Sequence, residues 1–317
     1  MNNPICSLLG IQYPILQGGM GNISDPLLAA AVSNAGGLGT IGVGTLPISK
    51  VKEMIDQMLV ATSAPCCVNI PLSVHPAAVE VIEEVIAAKV PVVSLSAGNP
   101  TGYIRRFHEQ GVKVICVTAT VRQAKKAAAA GADIIVCEGY EAAGINAPSE
   151  STTMTLVPQI AKAVSTPVVA AGGVGDGKGL AAAIALGACG VQIGTRLIAT
   201  QEAPYHPRYK QAILDATDES TVIVGRPYKK IRRVLKNDYA EKLLKRDPQQ
   251  TDPETFAQET SEDHHRRGAV EGDFATGFIN GGQIAGLIDH CPSVSELFQE
   301  MLRDAKAALH VGLSMLQ

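Results

Sequence analysis

Val168-Val169-Ala170-Ala171-Gly172-Gly173-Val174-Gly175-Asp176-Gly177 is the stretch whose reading decides the fold. Its first four residues are small or β-branched and read as a buried strand. The glycines read as a tight turn, and the apolar spacing of three and four that starts at Gly177 reads as a helix over 177–186. Moving outward, the same strand–turn–helix unit recurs in both directions. Strands are expected at 14–17, 39–42, 66–70, 90–95, 112–117, 134–137, 168–171 and 191–194. Helices are expected between them at 25–35, 48–58, 76–88, 102–109, 120–130, 154–164 and 177–186; Val121, Ala124, Ala128 and Ala132 show the helical spacing. Strands alternating with helices imply right-handed crossovers and a parallel sheet. Eight strands with seven intervening helices predict an α/β protein of the closed (β/α)8 barrel type. An open doubly wound sheet fits less well, because its G-x-G-x-x-G after the first strand has no good match.

The eighth connection breaks the rhythm. A long charged insertion follows the last strand, before a helical tail at 293–316. The reading divides the chain into a barrel, 1–200 and 281–317, and a small helical insertion, 201–280, lying over the barrel mouth. The run 231–245 is read as one of its helices.

Composition narrows the function classes. The 317 residues include 31 Gly and are 46% hydrophobic, which excludes intrinsic disorder. With 27 Lys+Arg against 30 Asp+Glu and a net charge of −3, nothing favours nucleic acid or an anionic membrane. Seven Tyr, five Phe and no Trp leave few base-stacking surfaces. Residues 1–15 lack a signal-peptide pattern, so a cytoplasmic setting is expected. The seven cysteines then read as small buried hydrophobes, and adjacent Cys66 and Cys67 should face opposite sides of their strand. What remains is an enzyme-like chain.

The chemistry should sit where strands end. Gly172 and Gly173 after the seventh strand, with Gly194 and Thr195 after the eighth, mark the usual barrel phosphate site. Gln17-Gly18-Gly19-Met20-Gly21 ends the first strand and is either a plain turn or a close approach to a flat ring. Asn69 is a polar amide inside an apolar strand, satisfied either by loop backbone or by a bound heterocycle. Ser96-Ala97-Gly98-Asn99-Pro100 and Glu138-Gly139 end two further strands.

Taken in order, Gln17-Gly18-Gly19-Met20, Val68-Asn69-Ile70, Ala97-Gly98-Asn99-Pro100, Glu138-Gly139-Tyr140-Glu141-Ala142, Ala171-Gly172-Gly173, Gly194-Thr195-Arg196 and Gly282-Gln283-Ile284-Ala285-Gly286 resemble the nitronate monooxygenase (2-nitropropane dioxygenase) family. That family includes the flavin-dependent enoyl-acyl-carrier-protein reductase II, and the resemblance covers nearly the whole chain. It implies a TIM barrel binding FMN, with the phosphate on Gly172, Gly173, Gly194 and Thr195. It also implies the ring near Gly18, Gly19, Met20 and Asn69, with Glu138 at the ribityl chain and Gln283 as a further contact.

One position departs from the family. The stretch Glu141-Ala142-Ala143-Gly144-Ile145-Asn146 places Ile145 where the family carries a His that acts as base or proton donor. Ile cannot move a proton, and Asn146 can donate a hydrogen bond but is no general base. Three readings follow: a substrate that needs no base, such as a pre-formed alkyl nitronate oxidised with O2; a substitute such as His75, Tyr140 or Cys137; or a diverged flavin-binding protein. His75 is otherwise a solvent-exposed loop residue. An NAD(P)H-dependent enoyl-thioester reductase is the alternative reaction. A dehydrogenase built on Cys137 is weaker, because its neighbour Glu138 is no thiolate-stabilising cation.

The insertion carries Arg226, Lys229, Lys230, Arg232, Arg233 and Lys236 within eleven residues. They read either as a solvated helix face or as a docking site for NADH or NADPH phosphates or an acyl-carrier protein. His264 and His265 are sequential and are assigned no metal. The oligomeric expectation is a homodimer.

Overall fold

The computed structural model describes residues 3–316. Eight parallel strands form the central sheet: β1 (Ile15–Gln17), β2 (Gly39–Gly42), β3 (Cys66–Pro71), β4 (Val92–Ser96), β5 (Lys113–Thr118), β6 (Ile134–Glu138), β8 (Val168–Ala171) and β9 (Gly190–Ile193). A two-residue strand, β7 (Gly144–Ile145), lies outside this sheet. The order β1-β9-β8-β6-β5-β4-β3-β2 closes through a parallel bridge, Leu16 to Leu38, where the Gln17 amide donates to the Leu38 carbonyl at 2.9 Å. This is the expected (β/α)8 barrel.

The strand period of two divides its apolar residues between two cores. Leu16, Cys67, Ile115, Val136 and Val169 fill the barrel interior. Helix α1 (Pro4–Leu9) seals its lower end with Ile5 and Leu9. Asn3 caps α1 and ties it to the barrel by donating to the Cys189 carbonyl at 2.7 Å. Residues one position out of phase, among them Cys66, Val68 and Ile135, pack under the outer helices. Cys66 and Cys67 therefore face opposite sides, as their adjacency requires.

The outer helices are α2 (Pro26–Asn34), α3 (Ile48–Ala61), α4 (Ala78–Ala87), α5 (Ile104–His108), α6 (Val121–Ala129), α7 (Thr153–Ala163), α8 (Gly177–Ala185) and the one-turn α9 (Thr195–Ile198). Side-chain caps set several starts: Asp25 accepts from the Leu28 amide, and Asp176 from the Gly179 amide at 2.7 Å. The last helix, α14 (Val294–Met315), starts in a Ser293/Glu296 capping box and packs against α8. No helix among the described residues is long and apolar enough to cross a membrane.

The insertion is not purely helical. It carries α10 (Pro207–Leu214), α11 (Asp238–Leu244), α12 (Pro253–Glu259) and α13 (Glu262–Ala269), but also an antiparallel pair, β10 (Thr221–Val224) and β11 (Arg232–Leu235). The run 231–245 splits into β11 and α11 because Asn237 caps a new helix, accepting from the Ala240 amide at 2.7 Å. β11 also pairs with β7, placing Arg232 opposite Ile145 and Arg233 opposite Gly144. The insertion is thus hydrogen-bonded to the loop that follows β6.

Candidate functional site

The carboxyl ends of the barrel strands and the inner side of the insertion enclose a cavity of about 890 Å³. It lies at the face where barrel active sites form, and its volume is within the roughly 300–1,000 Å³ of small-molecule sites. Gly18, Gly19, Met20, Asn69, Glu138, Gly172, Gly173, Gly194 and Thr195 all line it. One chamber thus brings together residues from five strand ends.

The glycines among them differ in purpose. Gly172 (φ 91°) and Gly173 (φ 73°) lie in the left-handed region, so the turn after β8 needs glycine whatever binds there. A Cβ on Gly19 would stand 2.7 Å from the Asn69 side chain, so this glycine lets the β1 and β3 ends approach. A Cβ on Gly194 would meet nothing within 4 Å, which leaves an open recess beside Thr195. The Thr195 hydroxyl accepts from the Gly282 amide at 3.0 Å, pinning the segment before α14 against that recess.

Asn69 holds its amide in place by donating to the Ser94 hydroxyl (3.1 Å), the Ser96 hydroxyl (3.2 Å) and the Ser94 carbonyl (3.3 Å). It lines the cavity with its orientation already set by β4. Glu138 ends β6 at the cavity wall, and burial pushes its carboxyl up to about 7. Glu141 caps the start of α7, each carboxylate oxygen accepting from the Thr153 amide at 2.9 Å.

Among the residues considered as substitutes for the absent His, none is a free base. His75 is buried, not exposed. Its Nε2 lies 2.9 Å from the Leu46 carbonyl, its Nδ1 accepts from the Ala77 amide at 3.0 Å, and it does not line the cavity. Tyr140 lines the cavity, but its ring lies under Arg226 and Arg233 and its hydroxyl meets Arg226. Burial pushes the Tyr140 phenol up from its ordinary value. Asn146 spends its amide on the loop itself, donating to the Ala142 (2.9 Å) and Gly144 (3.1 Å) carbonyls. Cys137 is buried behind the wall, outside the cavity lining, with its thiol pushed up to about 12 chiefly by burial. Ile145 is 53% exposed and borders the cavity. The Gln283 side chain is exposed and lies away from it; its neighbour Gly282 lines it instead.

The basic run does not form one solvated face. Arg232 and Arg233 are both buried, although as neighbours on β11 they point to opposite faces of the strand. Arg233 donates to the Tyr140 carbonyl at 3.1 Å and the Thr221 hydroxyl at 3.0 Å. Arg226 pairs with Glu150 at 2.8 Å, while Lys229 and Lys230 remain exposed.

A polar cluster that the motif reading missed completes the chamber. Arg232, Glu262, His265 and Asn280 all line the cavity from the insertion side. Arg232 donates to Glu262 (3.4 Å) and to the Asn280 side-chain Oδ1 (3.4 Å), and its guanidinium lies 5.0 Å over the Phe278 ring. Burial pushes the Glu262 carboxyl up, but His265 and the Arg232 charge beside it outweigh this and hold it at about 2. Its Oε2 also accepts from the Asn22 amide at 3.2 Å, joining α13 to the β1 end. The only sequence signals were the β-branched run at 221–224, which marks a hairpin, and a His in an otherwise charged stretch.

A barrel with this glycine-lined mouth and covering insertion is the architecture of a small-molecule enzyme. The chain belongs to the nitronate monooxygenase family, whose model matches residues 2–304, and it is an oxidoreductase. It is 30% identical over 360 residues to the (3aS,4S,5R,7aS)-5-hydroxy-7a-methyl-1-oxo-octahydro-1H-indene-4-carboxyl-CoA dehydrogenase of Mycobacterium tuberculosis, covering 100% of this chain and 99% of that one. It is 33% identical over 284 residues to a probable nitronate monooxygenase of Staphylococcus aureus, covering 76% of this chain and 80% of that protein. Among solved structures it is similar to FabK from Thermotoga maritima, with 40% identity, a TM-score of 0.95 and 99% coverage of both chains.

Proposed function

We infer that the protein is an FMN-dependent oxidoreductase that oxidises small alkyl nitronates with O2. FMN, when bound, would supply the electron-accepting ring, and the protein would supply position and solvent exclusion. The residues present fit that group. The recess at Gly194 is open where a Cβ would fill it, and Gly172 and Gly173 form a turn whose backbone can approach a phosphate. Asn69, Gly18, Gly19 and Met20 would flank the ring, and Glu138 would meet the ribityl chain.

The observation that carries the choice of substrate is the pairing of Ile145 with Arg232. The position expected to move a proton holds a hydrocarbon, and the residue opposite it is a buried guanidinium facing the same cavity. A nitronate already carries its negative charge, so it needs cationic and hydrogen-bonding partners rather than a base. Enoyl-thioester reduction with NADH or NADPH is the second reading. It is favoured by the CoA substrate in the mycobacterial relative's name and by Arg122 and Lys126 on the cavity rim. An acyl-carrier protein belongs to that reading as partner, while a homodimer fits either reading. Anaerobic stopped-flow reduction of the FMN-loaded protein tests both. Bleaching by ethyl nitronate but not by NADH or NADPH is expected; bleaching by a pyridine nucleotide alone moves the assignment to the reductase, and a protein that takes up no FMN refutes both.

A further inference from the structure

One group in the insertion cluster is left unexplained by its own packing. His265 on α13 is 2% exposed, lines the cavity, and its Nε2 has no hydrogen-bond partner. The rest of the ring is accounted for. One face stacks on Phe278, with centroids 5.4 Å apart and planes at 7°. Nδ1 lies 3.3 Å from the Asn280 amide nitrogen and 3.8 Å from Glu262 Oε2.

The tautomer follows from the neighbours. Arg232 Nη1 donates to Asn280 Oδ1, which turns the Asn280 NH2 toward His265. Nδ1 therefore accepts, and the ring proton sits on Nε2. Burial lowers the imidazole pKa, Glu262 opposes that shift and the Arg232 charge adds to it, so the ring is held neutral. A buried N–H without an acceptor is costly, and such groups in native proteins are normally partnered. His265 lines the cavity, so a molecule filling it is the natural source of that acceptor.

The cluster stands directly behind the Ile145 position. A Cβ on Gly144 would lie 3.6 Å from the Asn280 amide nitrogen, and Arg232 pairs with Ile145 across the β7–β11 ladder. The polar group missing from the β6 loop is therefore present on the insertion. We propose that His265 donates its Nε2–H to a charge-bearing oxygen of the substrate, either a nitronate oxygen or a thioester carbonyl oxygen, with Asn280 and Glu262 as positioning residues. No proton is transferred; the neutral imidazole stabilises negative charge by a preorganised hydrogen bond. This rests on the FMN-oxidoreductase reading and adds the residue that recognises the substrate.

The test uses the FMN-loaded full chain, with His265→Phe to remove the donor and His265→Gln to retain one. Ethyl nitronate kinetics, the FMN dissociation constant and the ¹H–¹⁵N imidazole spectrum are measured, with nitrate as a planar anionic probe and crotonyl-CoA as a thioester probe. His265→Phe should lower kcat/KM about 10–100-fold, the loss expected for a hydrogen bond to a charged oxygen. FMN affinity should stay within about threefold of wild type, His265→Gln should recover part of the rate, and one probe should shift the Nε2–H resonance. The probe that does so identifies the oxygen. Wild-type kinetics in His265→Phe, or an Nε2–H resonance that neither probe moves, overturns the proposal. A loss confined to FMN affinity also overturns it, because the donor then serves the cofactor. A protein that takes up no FMN while nitrate still shifts the resonance refutes the flavin reading and leaves the anion contact standing. If His265→Phe does not fold, the Gln variant and the wild-type spectra decide.

Discussion

Gly194→Leu should abolish tight FMN binding while leaving the empty barrel intact. Gly194 has φ −127°, outside the left-handed region that favours glycine, and its added Cβ would meet no heavy atom within 4 Å. Gly39 is the contrast: there a Cβ would collide with the Ala29 carbonyl, so the same kind of change would damage the fold. At Gly194 the leucine side chain would instead occupy the recess beside Thr195. If it displaces a phosphate from two backbone donors, each worth about 1.5–3 kcal/mol to a charged acceptor, the loss is about 3–6 kcal/mol. That corresponds to roughly a 10²–10⁴-fold weaker Kd. Apoprotein stability should change by no more than about 0.5 kcal/mol, or about 2 °C in Tm. Fluorescence titration of FMN into apoprotein, with calorimetry alongside, measures both. Unchanged FMN affinity would refute the phosphate assignment, and a large fall in apoprotein Tm would refute the claim that the recess is open.

Three further outcomes follow from the same geometry. Glu138 has its folded pKa raised to about 7, so the native state holds a proton that the unfolded chain releases near pH 4.5. Its ionisation therefore costs stability as pH rises from about 4.5 to 7, by up to about 3 kcal/mol; Glu138→Gln should flatten the apoprotein pH–stability curve over that window, and parallel curves would contradict this. Glu262 shows the opposite sign: its pKa is lowered to about 2, so its contribution is present above about pH 4.5 and lost as pH falls toward 2. Glu262→Ala should cost about 3–5 kcal/mol at pH 7 by leaving Arg232 unpaired in the interior, read by urea denaturation; a change below about 1 kcal/mol would show the pair to be weak. Ile145→His should leave the rate with pre-formed ethyl nitronate within about threefold, since that substrate needs no base; a tenfold gain would show that proton transfer at this position limits the enzyme.

The barrel was readable because its signals are local. Each strand is a short apolar run ended by glycine or a polar turn, and Cys66 and Cys67 took their opposite faces from the strand period alone. Gly172 and Gly173 were readable for the same reason, since their positive φ demands glycine. Residues whose roles depend on distant partners were not. His75 reads as an exposed loop residue from sequence alone, because the Leu46 carbonyl and Ala77 amide that engage its two nitrogens are brought to it only by the fold. The six cations read as a helix face or a docking site by their density, which masks a strand whose pairing with β7 accompanies the burial of Arg232 and Arg233. Asn280 and His265 carried no motif; only the fold brings them beside Gly144.

The short ladder between β7 and β11 has a consequence for how such an enzyme can change. The loop that borders the Ile145 side of the cavity and the insertion that covers it share backbone hydrogen bonds, so neither can be redrawn alone. An insertion borrowed from a relative would arrive with an edge strand matched to a different loop. New substrate preferences in this architecture therefore have to be inherited as a linked pair of segments, separated by almost ninety residues in the chain yet adjacent at a single seam.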